Sequence, residues 1–143
     1  MVKLLMSKGQ NEAVYLDEQN FGIMAEKLIE EYRKDLPKNK QGELAMISKS
    51  KIRGILELVN KIYNDVFYIA ENELNTHQIS DIAYLKVKLA YEYGREDSVA
   101  QFIKKTRIMD VVDQIKTKDD FLLYARYVES LIAYFKFHGG RDN

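Results

Sequence analysis

Between Ile79 and Arg95 the chain reads ISDIAYLKVKLAYEYGR, a stretch so broadly apolar that little of its circumference is left for water. At about 100° per residue, Ile82, Leu85, Leu89 and Tyr93 fall on one face, and Ala83, Val87 and Ala90 spread onto an adjoining one. A helix of this kind is expected to be buried, with the other elements packed around it. Its polar wedge holds Tyr84, Lys88, Tyr91 and Arg95, whose i, i+4, i+7, i+11 spacing lines them up along one stripe. Gly94 near the end reads as a helix stop.

A chain of 143 residues is about one domain and is long enough to bury a core without staples. It has no cysteine, which excludes disulfides, thiolate catalysis and cysteine-based zinc sites and fits a reducing compartment. One proline and 7 glycines leave few breakers, so the composition favours an all-α fold. No apolar run approaches the roughly eighteen residues of a membrane span, and MVKLLMSKGQ turns polar too quickly for a secretory signal. These features predict a soluble, cytoplasmic protein with no membrane partner. With 22 basic and 22 acidic side chains the net charge is zero, so any attraction to nucleic acid must come from a local patch.

Residues 1–19 show no sustained period and read as a weakly ordered arm ahead of a single helical domain over residues 20–143. Asn20 is placed to cap a helix from Phe21 to about Leu36, ended by Pro37 and followed by the loop KNKQGE. From Ser48 or Ser50 to about Ala70, a long helix carries Ile52, Ile55, Val59, Ile62 and Val66 inward, while Lys49, Arg53, Asn60 and Asn64 share an outer stripe. The polar ENELNTHQ connects it to the central helix, with Thr76 or Ser80 as cap. Two short helices are expected over 98–105 and 108–115. The last runs from about Lys118 to Phe137 with Phe121, Tyr124, Val128, Leu131 and Phe135 as its core stripe. On its opposite side Leu123, Tyr127 and Tyr134 form a candidate contact strip, since aromatics are enriched in interface cores.

Sites for chemistry are scarce. Neither GxxxxGK[ST] nor GxGxxG occurs, so no phosphate loop is present. His77 and His138 are far apart in sequence and read as two exposed histidines, and pairs such as Asp119 and Asp120 read as helix-capping charges. No metal or other cofactor is expected, and the sequence argues against an enzyme. Lys88 and Arg95 beside Tyr84 and Tyr91 have two readings: long side chains snorkelling over a bundle rim, or cations holding phosphates while the rings cover sugar or base faces.

Three stretches, ISKSKIRGILELVNKIY (47–63), IAYLKVKLAYEYGRE (82–96) and FLLYARYVESLIAYFKFHGG (121–140), resemble the small subunit of the type III-A CRISPR interference (Csm) complex. Their order, spacing and closing Y-F-K-x-x-G-G agree, and the resemblance covers roughly residues 20–141. It implies a compact bundle of five or six helices that performs no chemistry. Several copies would stack along a ribonucleoprotein filament, beside the backbone subunits and the large polymerase-like subunit, and help hold target RNA paired to the guide RNA. Carried onto this chain, it points to Lys49, Arg53, Lys88, Arg95, Arg126 and Lys136 as RNA-binding residues, with Lys51 and Lys86 as weaker candidates. The alternative is an adaptor that assembles a complex through Leu123, Tyr127 and Tyr134 without touching RNA.

Overall fold

The computed structural model describes residues 2–8, 12–36 and 46–139. The proline expected to end the first helix and the KNKQGE loop lie outside the described residues, as does the last glycine of the Y-F-K-x-x-G-G ending. Two strands, β1 (Lys3–Lys8) and β2 (Ala13–Asp17), precede six helices: α1 (Phe21–Asp35), α2 (Lys49–Phe67), α3 (Thr76–Arg95), α4 (Asp97–Thr106), α5 (Ile108–Val112) and α6 (Lys118–Phe137).

The all-α expectation is therefore corrected at the N-terminus, where the stretch read as a weakly ordered arm forms an antiparallel hairpin. It pairs Leu4 with Leu16 and has an irregularity between Leu5 and Ser7, so that Met6 has no partner in the ladder. Leu4, Met6 and Leu16 are buried and belong to the same core as the helices. Gln114, just beyond α5, closes the edge of β1: its Oε1 accepts from the Leu5 N–H and its Nε2 donates to the Leu5 carbonyl, both at 2.6 Å. An edge strand satisfied in this way leaves fewer groups open to stray pairing. Asn20 does not cap α1 with its side chain as expected; its Oδ1 accepts from Asp17 N–H and its Nδ2 donates to the Tyr15 carbonyl, tying the helix start to the hairpin.

The other helix starts are built from their own sequence. Ser48 accepts from the Lys51 N–H at the head of α2. Thr117 and Asp120 form a capping box on α6, satisfying first-turn donors that would otherwise be orphaned. For α3 the cap is Asn75, paired with Gln78 in a capping box, rather than Thr76 or Ser80.

The element at the centre is α6, and α3 is peripheral. Nine side chains of α6 are buried, against four of α3: Gln78, Ile82, Leu85 and Leu89. α6 runs between α1 and α2, whereas α3 leans on α2 on one side and on α4 and α5 on the other. Phe135 of α6 meets Phe102 and Tyr32 in an aromatic cluster, with ring centroids 6.3 and 6.5 Å away. Two buried tyrosines of α6 also lock the α4–α5 corner: Tyr124 donates to the Ile108 carbonyl and Tyr127 to the Thr106 carbonyl, each at 2.8 Å. Between those carbonyls sits Arg107 with φ 63°, a left-handed conformation that a non-glycine residue holds only when its surroundings enforce it. Among the described residues, no helix is long and apolar enough to cross a membrane.

Candidate nucleic-acid interface

The outward arc of α3 has no charged side chain across a broad sector. Ile79, Ser80, Ala83, Val87, Ala90 and Tyr91 are all exposed, and so is Tyr93, which the periodicity had placed inward. Along one border of this sector run Tyr84, Lys88, Tyr91 and Arg95. Both rings stand in solvent, Tyr84 58% and Tyr91 64% exposed. Each has a cation beside it: Lys88 Nζ lies 5.1 Å from the Tyr84 ring centre, and the Arg95 guanidinium carbon lies 5.9 Å from that of Tyr91. At such distances the ring quadrupole attracts the cation and steadies both groups.

This border overlooks a groove of about 540 Å³ between α2 and α3. Its floor is apolar, made by Ile55, Leu58 and Leu89, and the exposed Tyr84, Val87 and Tyr91 line it from the α3 side. Gly54 opens it from the α2 side; a Cβ added there would meet nothing within 4 Å. At the lip Lys51 Nζ donates to Glu92 Oε2 at 3.0 Å, with both side chains about three-quarters buried. The sequence pattern does not single out Gly54 by its position on either face. A glycine inside a strongly periodic helix is nonetheless a signal, because it costs helix stability with no packing reason in the fold here to require it.

The eight basic candidates do not form one patch. Lys51 and Lys88 line the groove. Arg95 lies further along α3, in a shallow depression shared with Gln101 and Lys104 of α4, with Glu92 4.0 Å away. Lys49 opens α2 one turn before the exposed Arg53, whose helical angle puts it on the flank away from Gly54. Arg126 and Lys136 are exposed on the narrow wet strip of α6. Lys86 is on the opposite side of α3 from Lys88 and is engaged by Asp113, with Nζ 2.6 and 2.7 Å from the two carboxylate oxygens.

The expected aromatic strip is not at the surface. Leu123 and Tyr127 are buried and Tyr134 packs partly buried against the core, so α6 spends these residues on its neighbours. Burial pushes the Tyr127 and Tyr124 hydroxyls far above the usual tyrosine range, which keeps them protonated donors. His138, read as exposed, is mostly covered: its Nε2 is buried without a hydrogen-bond partner, 4.0 Å from Glu26 and 3.8 Å from Glu30. Glu26, Glu30 and His138, and likewise Asp65, His77 and Asp81, place donor atoms within 4.8 Å of one another, the spacing from which a divalent cation could be held.

A small helical bundle with an uncharged helix face, bordered by alternating rings and cations, belongs to the class of subunits built to lie against other molecules. Comparison with known proteins makes the class specific. The chain belongs to the type III-A Csm2 family, whose profile matches residues 24–141. It is 38% identical over 120 residues to the CRISPR system Cms protein Csm2 of Enterococcus italicus, covering 80% of this chain and 86% of that one. The Csm2 protein of Streptococcus thermophilus is 35% identical over 127 residues, 89% of this chain and 98% of the relative. That of Mycobacterium tuberculosis is 29% identical over 108 residues, 75% and 86% of the two chains. Membership makes the chain a structural small subunit of the type III-A CRISPR complex, with other Csm subunits as its partners.

Proposed function

We propose that this subunit holds target RNA paired to guide RNA through contacts to the RNA backbone, performs no catalysis itself, and acts in several cytoplasmic copies stacked along the effector filament. The observation that supports this most is the row on α3, where tyrosines and cations alternate beside a groove and each ring has a cation next to it. Cations so spaced suit phosphates, whose contacts position a strand without carrying sequence information. Recognition is then blind to target sequence, which the guide already specifies by pairing. Zero net charge fits a subunit that meets RNA only among its partners, where repeated copies along one strand multiply weak contacts.

Lys88 and Arg95 carry the contact in this reading. Lys49, Arg53, Arg126 and Lys136 extend it over the neighbouring surfaces, while Lys51 and Lys86, held by Glu92 and Asp113, contribute least. The test is target-RNA binding by the assembled complex across a salt series. Replacing Lys88 and Arg95 with alanine should weaken binding and flatten the log–log slope by about 0.7 to 0.9 for each phosphate no longer neutralised. An unchanged slope removes these residues from the RNA surface.

A further inference from the structure

We propose that the groove between α2 and α3 receives one unpaired nucleobase of a bound RNA strand, seated over the apolar floor beside Tyr84 and Tyr91. The inference rests on the RNA-contact reading above and adds the base face to it. A surface meant for phosphates alone needs cations and no cavity. Here Lys88 borders an apolar groove of about 540 Å³, ample for a single base, whose rims are two solvent-exposed rings, and Arg95 stands just beyond it beside Tyr91. Aromatic rings next to Lys or Arg are what tracks a single strand without reading its sequence, because every base has a π-face to stack and every nucleotide a phosphate to hold. Lys88 and Arg95 beside Tyr84 and Tyr91 repeat that pairing twice, seven positions apart, or about 10 Å along the helix.

Gly54 is the second observation. It lines the groove from α2, and a Cβ built on it meets nothing within 4 Å beyond its own helix backbone and chain neighbours, so a larger side chain here would stand in the opening. At the lip, the Lys51 ammonium and Glu92 carboxylate, bonded to each other at 3.0 Å, retain further donor and acceptor capacity within reach of a base edge. A base inside a duplex has both faces covered by its neighbours, so the occupant is a nucleotide that is unstacked or outside the paired region.

The experiment is an NMR titration of the full chain with a short single-stranded oligouridine, with inorganic tripolyphosphate as the phosphate-only probe. Oligouridine should shift the Gly54 amide and the Tyr84 and Tyr91 ring signals, and tripolyphosphate only the signals around Lys88 and Arg95. Gly54→Leu adds a good helix former into open space, so the chain should keep its circular dichroism while oligouridine affinity falls about 10-fold, as expected when one base can no longer stack. The double variant Tyr84→Leu, Tyr91→Leu should behave alike. If oligouridine and tripolyphosphate shift the same signals, or Gly54→Leu binds as the parent does, the nucleobase site is overturned while backbone contact stands. If neither probe shifts this surface, the nucleobase site and the Lys88 and Arg95 contacts fall together.

Discussion

α3 and α6 are both 20 residues long, and both are apolar over most of their circumference, yet they have opposite places in the molecule. α6 is enclosed: α1 and α2 cover its flanks, its two tyrosine hydroxyls reach the α4–α5 corner, and its wet strip is narrow. α3 buries only one face and leaves Ile79, Val87 and Tyr91 in water. Apolar breadth therefore reports that a helix has more surface to cover than water favours, and says nothing about whether the cover comes from the same chain. In α6 it comes from the fold. In α3 the sector is left bare in a chain whose family works inside a multisubunit complex.

The comparison is most exposed to failure at the core. Phe135→Ala empties the meeting point of Phe102 and Tyr32 and should destabilise the chain by about 3 to 5 kcal/mol in urea unfolding. A loss below about 1 kcal/mol would mean α6 is not the centre. Leu89→Ala, on the one covered face of α3, should cost about 2 to 5 kcal/mol by the same measurement, because even a peripheral helix fully desolvates its inner row.

How much of this is legible in the sequence depends on what each element needs from its surroundings. The helices are, because Ile52 through Val66 and Phe121 through Phe135 repeat at the helical period and that period is local. Which of two apolar helices becomes the centre is a matter of neighbours, and the period of α3 is silent about them. The hairpin escapes notice because both strands are short and the run from Ala13 through Leu16 is apolar without alternation, although only Leu16 of it turns inward. At the candidate site the row of Tyr84, Lys88, Tyr91 and Arg95 is visible since a single helix carries it. Lys51 meets Glu92 and Lys86 meets Asp113 across 41 and 27 positions of sequence, pairings that only the fold creates.

Smaller changes sharpen the contrast. Tyr127→Phe keeps the packing of α6 but strips the donor from the Thr106 carbonyl, and should cost about 1 to 3 kcal/mol, the penalty for a buried acceptor left unpaired. Were Tyr127 part of a solvent-facing strip, the same change would be nearly silent in thermal unfolding. Gly54→Ala on the groove side of α2 should act in the other direction, raising stability by up to about 1 kcal/mol, since alanine is the better helix former and its methyl group meets no neighbour.

The smallest expected effect is the most discriminating between the two faces of α3. Val87 and Leu89 are two residues apart on one helix, and both are aliphatic. Leu89 is almost wholly buried, and Val87 is 58% exposed. Truncating Val87 to alanine removes little that is desolvated in the free chain and exchanges a β-branched residue for a better helix former, so stability should change by no more than about 0.5 kcal/mol. Urea unfolding of the two variants side by side reads the difference. A Val87→Ala chain that lost as much as Leu89→Ala would place the outer face of α3 in the core, and the helix would then be as enclosed as α6. A Val87→Ala chain indistinguishable from the parent leaves that face as apolar surface that the isolated fold does not use.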